Sequence, residues 1–184
     1  MPRAAAVRFA AVMLSLLLAP LATVAWGQDS KSAALAKQLT AALEAAKIDS
    51  IAAKDPGAAD TYCAALYFSG SPLLVVSAKY AAPQLLDTRL LKKEYRDTYI
   101  DLSSASVPET KIFIQDAGGD GIKAKREENQ AFDSYEVGGK PTMFDGDFKR
   151  QKMSEADYQK AYTAADERYA QILQALIAQI KQTS

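Results

Sequence analysis

The spacing of apolar residues divides the chain into helical stretches towards its two ends and short extended stretches between them. Leu35, Leu39 and Leu43 recur four apart with alanine filling much of the rest, which predicts a helix capped by Ser30 and running to about Ile48 with one face buried. Residues 51–60, with Pro56 and Gly57, read as a linker into a sheet. Residues 61–68 are apolar and aromatic, Ser69-Gly70-Ser71-Pro72 interrupts them, and 73–78 resumes with Val75 and Val76, the pattern of a hairpin. Its near-continuous apolarity predicts burial on both faces. Pro83 then opens a short helix to about Lys92 through Leu85, Leu86 and Leu90, and residues 95–102 alternate as a half-exposed strand. Ile112, Phe113 and Ile114 mark a strand over 111–115, and 134–144 read as a hairpin around Gly138-Gly139. Five or six strands are expected.

The clearest element is a helix over about 155–181. Ser154 caps it, Glu155 and Asp157 put negative charge in its first turn, and Tyr158, Tyr162, Ala165, Tyr169, Ile172, Leu176 and Ile180 form one stripe. The stripe must be covered, either by the chain's own sheet, the preferred reading, or by a second copy in a homodimer. The expected fold class is α+β: a small antiparallel sheet or split barrel flanked by an N-terminal helix and a long C-terminal amphipathic helix.

The first 27 residues stand apart. Arg3 and Arg8 precede an almost wholly apolar run over 9–19, and small residues follow, so that Ala25 and Gly27 suit a signal-peptidase cut before Gln28, with a cut after Ala25 nearly as good. An uncleaved anchor is the alternative, but a spanning helix needs ~20 apolar residues and this run is shorter. The expectation is a signal peptide over 1–27, a single domain over 28–184 with no membrane span after cleavage, and a periplasmic or secreted location.

Composition narrows the chemistry. The full chain has 22 basic and 22 acidic side chains and no histidine; residues 1–27 hold two of the arginines and no acid, which leaves a net charge of −2 on the remainder. Balanced, interleaved charge offers no footprint for nucleic acid. Without an imidazole, Ser-His-Asp and Cys-His triads and the common histidine-ligated zinc, iron and haem sites are excluded. Cys63, the single cysteine, lies among Tyr62, Ala64, Ala65 and Leu66 and reads as a small buried hydrophobe.

The loop following the 111–115 strand resembles a calcium loop in part. Counting Asp116 as position 1, Asp120, Gly121 and Glu127 fall at 5, 6 and 12, but Gly118 stands where a third ligand belongs and the preceding segment is a strand. A solvated, strand-ending glycine turn is therefore preferred to Ca²⁺ binding. Asp145 and Asp147 flank a second glycine turn and are likewise expected to be solvated, which leaves no pair of groups poised for acid–base catalysis.

The run from Leu73 to Tyr80, the short helix and the 95–102 strand together resemble a passage of the pyridoxamine-phosphate-oxidase-like proteins, the FMN-binding split barrels. The resemblance covers roughly residues 60–145. It implies a six-stranded barrel, FMN or a related planar ligand at a dimer interface, and Lys79 near the flavin phosphate. Tyr99, flanked by Asp97 and Asp101, is the other candidate for lining a pocket. Together these expectations describe an exported domain that binds a small planar or anionic ligand without catalysis of its own. The alternative is a cell-envelope structural or interaction protein that self-associates through its C-terminal helix.

Overall fold

The computed structural model describes residues 30–57, 61–80, 112–128 and 130–183. Two helices, α1 (Lys31–Ala46) and α2 (Glu155–Thr183), accompany six strands: β1 (Ser50–Lys54), β2 (Tyr62–Tyr67), β3 (Leu73–Tyr80), β4 (Ile112–Ala117), β5 (Asp133–Val137) and β6 (Lys140–Phe144). The strands form one antiparallel sheet in the order of the chain, β1-β2-β3-β4-β5-β6. β1 and β6 are its edges. The protein is α+β as expected, with an open sheet in place of a split barrel.

Strand alternation sorts the core. Cys63, Ala65 and Tyr67 on β2, Leu74, Val76 and Ala78 on β3, and Ile112 and Ile114 on β4 meet the helices in one buried cluster. Ala64, Leu66 and Val75 form a second cluster on the opposite face with Ala52, Tyr62, Phe68 and Leu73 beside them. β2 and β3 are thus apolar on both faces, as their composition predicts. The hairpin of β5 and β6 turns on Gly138 and Gly139, both at positive φ (57° and 77°), the backbone that a two-residue turn requires.

The helices divide the work of covering the sheet. Leu39 and Leu43 of α1 are fully buried, and so are Tyr158, Ala165, Tyr169, Ile172 and Leu176 of α2, with Ile180 nearly so. The α2 stripe is therefore interior to the chain, packed on α1, β1 and β2, and is not left over for a dimer seam. Phe144 at the end of β6 packs edge-to-face against Tyr158 and Tyr162, with ring centres 5.7 and 5.8 Å apart.

Two local expectations need correction. Residues 50–54 are a strand and not linker: α1 stops at Ala46, Lys47 adopts a left-handed backbone (φ 57°), and the Ile48 N–H returns 3.0 Å to the Leu43 carbonyl. This closure turns the chain at once into β1. Nor does Ser30 cap α1 with its own side chain. Asp166, from the middle of α2, does so instead: its carboxylate accepts the N–H groups of Lys31 (2.7 Å) and Ser32 (2.9 Å) and the Ser30 hydroxyl (2.6 Å). The helix predicted from Pro83 and the strand predicted over 95–102 lie outside the described residues.

Candidate functional site

The densest polar chemistry lies where β4 and β5 meet the two helices, around the loop that links the strands. Asp116, next to last in β4, lies on its core face and is fully buried. Its Oδ1 accepts the N–H of Asp120 (3.1 Å), and its Oδ2 accepts the N–H of Gly121 (2.9 Å) and the Tyr169 hydroxyl (2.9 Å). Asp133, the first residue of β5, is buried too and accepts the N–H groups of Ala117 (2.8 Å) and Lys123 (2.7 Å). Two carboxylates therefore fold one short loop around themselves.

Both helices hold that loop from outside. The Ser32 hydroxyl accepts the Ile122 N–H (3.0 Å), Tyr158 donates to the Ala124 carbonyl (2.8 Å) and Tyr162 to that of Ile122 (3.3 Å). Gly121 lies so close to α1 that a Cβ there would stand 2.4 Å from the Ala33 Cα, and its φ is +97°. Only glycine meets both demands. The tyrosines of the α2 stripe thus serve as apolar core and as hydrogen-bond donors at once, a role that their periodicity alone does not reveal.

Burial works against charge here. It raises the Asp116 carboxyl from its ordinary 3.8 to about 6, against the pull of the Gly121, Asp120 and Tyr169 hydrogen bonds. Asp133 rises to about 7, chiefly from burial, with the negative charge of Asp116 adding to it. Tyr169, wholly buried beside Asp116, has its hydroxyl pushed well above the ordinary value by burial and holds its proton. Carboxyls near neutrality are what general acid–base chemistry uses. These two, however, are enclosed, and all four oxygens accept hydrogen bonds from the chain itself. The arrangement is a staple for the loop.

Of the partial calcium pattern, Asp120 and Glu127 meet at the Lys123 ammonium while Asp116 faces the core. Asp116 is turned inward as described, while Asp120 directs Oδ2 to the Lys123 ammonium (2.6 Å). Glu127, exposed, reaches the same ammonium (2.8 Å), which holds its carboxyl below the usual range. No group of three or more acidic, histidine or cysteine side chains among the described residues is disposed to hold a metal ion. The glycine turn itself forms, with Gly118, Gly119 and Gly121 all at positive φ, but Asp116 is not solvated as a turn residue would be. No local signal announces this: the burial follows from Tyr169, 53 residues on, and Ile122 packing into the core beside the aspartate.

Among the other candidates, Lys79 stands near the end of β3 and Tyr99 lies outside the described residues. Cys63 is buried as predicted, and burial pushes its thiol up to about 12, which leaves it unreactive. Asp145 is only partly exposed and pairs with Arg150, while Asp147 is exposed. A buried ion pair that the sequence does not announce joins Asp55, just after β1, to Arg168 on α2, whose Nη2 donates to both carboxylate oxygens (2.5 and 2.7 Å).

Open space occurs on the outer side of the helix pair. A groove of about 490 Å³ runs between α1 and α2, lined by Lys31, Leu35, Glu167, Ala170, Gln171 and Gln174. Leu35 and Ala170 supply an apolar floor, the glutamines neutral donors and acceptors, and the ion pair of Lys31 and Glu167 (2.6 Å) one rim. Comparison of the chain with models of protein families, with curated proteins and with solved structures returns no match in any of the three.

Proposed function

We propose that the protein is an exported binding module that holds a small planar or anionic molecule and performs no chemistry on it. The observation that carries this reading is the groove between α1 and α2. Its apolar floor suits the face of a flat ring, its amides suit polar ring edges, and Lys31 suits a carboxylate or phosphate. Both members of the Lys31–Glu167 pair are exposed and screened by solvent, so exchanging Glu167 for an incoming anion costs little. The signal-like residues 1–27 support delivery to the periplasm or beyond. FMN is the first ligand to try, because it joins a planar ring to a phosphate. Self-association through the 158–180 stripe does not enter the reading, since that stripe is occupied by the chain's own core.

The test is a thermal-shift and calorimetric panel of flavins, porphyrins and small aromatic carboxylates. A ligand that raises the melting temperature, and whose affinity falls about tenfold in Lys31→Ala, supports the groove. Colourless protein that responds to no member of the panel sinks the proposal.

A further inference from the structure

The two edges of the sheet are finished differently. On β6 the residues facing away from β5 are Pro141 and Met143. Pro141 has no N–H to offer, and both backbone groups of Met143 are taken by the Gln151 side chain, with N–H to Oε1 at 2.8 Å and Nε2 to carbonyl at 2.5 Å. That edge is closed to any further strand.

β1 has no such backbone-capping device, and its protection is limited to its shortness and Lys54. The Tyr67 N–H donates to the Asp49 carbonyl (2.8 Å) and the Asp55 N–H to that of Thr61 (3.0 Å), so the odd-numbered residues bond to β2. The N–H and C=O groups of Ser50, Ala52 and Lys54 therefore face outwards. No proline or bulge intervenes among the described residues, the only side chain at an outward group is the Cys63 thiol, 3.8 Å from the Lys54 carbonyl, and Ile48, the one large apolar side chain exposed among them, stands at the head of this strand.

We infer that β1 is a docking edge for β1 of a second copy, in an antiparallel pairing about a two-fold axis at Ala52. In that register Ser50 faces Lys54 of the second copy, Ala52 faces its own counterpart, and Lys54 faces Ser50. All three outward residues of each strand are used, about six hydrogen bonds in all. Ile48 then lies opposite Pro56 of the second copy, both apolar and both exposed in the single chain. Centring the axis on Lys54 would set two like charges face to face, and centring it on Ser50 would drive Lys54 into the end of α1. Small side chains at 50 and 52 permit the close approach. The edge thus fits a copy of itself, by a route separate from the groove and from the α2 stripe. The pairing is short compared with interfaces of ~1,600 Å², so a dissociation constant on the order of 10–100 μM is expected.

Sedimentation equilibrium of the purified protein over ~5–500 μM should show a reversible monomer–dimer equilibrium. Ala52→Pro removes an outward N–H and no bond to β2, and should weaken the dimer by at least ~10-fold while leaving the circular dichroism spectrum unchanged. Ala52→Cys should form a disulfide dimer on mild oxidation, because paired Cα atoms ~5.5 Å apart are within disulfide reach, whereas Met143→Cys on the closed edge should not. This cross-link decides the matter even if Ala52→Pro fails to fold. A monomer at every concentration, a dimer indifferent to Ala52→Pro, or cross-linking of Ala52→Cys no faster than that of Met143→Cys overturns the inference. The first of these would leave the edge to a strand of a different protein.

Discussion

Asp133 and Asp116 make a pH dependence that can be worked out in sign. Each carboxyl lies at 3.8 when unperturbed and at about 7 and about 6 in the fold, so the folded chain retains protons that the unfolded chain has already released. Their contribution is therefore a loss of stability as pH rises from about 4 to about 7, complete above that window. Urea unfolding at pH 5 and pH 8 should show the protein less stable at the higher value, beyond what its exposed groups contribute. Asp133→Asn should flatten this dependence. It should also cost ~1–3 kcal/mol at pH 5, because an amide presents N–H₂ where Ala117 or Lys123 needs an acceptor. Gly121→Ala should be more damaging still, since the loop can neither keep its φ of +97° comfortably nor stay against Ala33. A melting temperature close to that of the unaltered chain would show that the loop can lift from α1 without penalty.

At the scale of elements, α1 depends for its start on α2. Asp166→Ala removes the acceptor for two backbone N–H groups and one hydroxyl and should cost about 2 kcal/mol, whereas Ser30→Ala should cost less than half as much. Equal costs in denaturant titrations would mean that Ser30 is the working cap after all. The same logic applies to the Asp55–Arg168 pair, which ties β1 to α2. Asp55→Ala strands a buried guanidinium and should cost ~3–5 kcal/mol, a loss visible in the same titrations. On α2 itself, Ile172→Asp or Leu176→Asp should unfold the chain and not merely change its mass in solution, because both side chains are fully enclosed.

At the scale of the whole molecule, the order of elements was largely legible and their junctions were not. The glycine hairpin, the two-faced β2–β3 pair and the long C-terminal helix follow from turn chemistry and from periods of 2 and 3.6 residues, all local properties of the chain. β1 was missed because Ser-Ile-Ala-Ala-Lys is short, poor in β-branched residues and adjacent to Pro56; its extended form comes from pairing with β2. The choice between open sheet and barrel was likewise not local, since it depends on whether β1 and β6 meet, and Pro141 and Gln151 finish β6 as an edge. The export expectation remains a property of residues 1–27, and mass spectrometry of protein recovered from an exporting host should find a mature chain beginning at Gln28; a retained Met1 would show that the segment is not removed. Sequence by itself determined the two helices at 31–46 and 155–183 and the strands from β2 to β6, the faces of these that are apolar, and the histidine-based chemistries that are excluded, because these depend on residue identity and spacing. Tertiary structure alone decided that the Asp116 carboxyl is buried, that Asp166 caps a helix more than a hundred residues away in the chain, and that one sheet edge is open. Burial and long-range hydrogen bonding arise only when distant segments pack together, and no spacing along the chain encodes them directly.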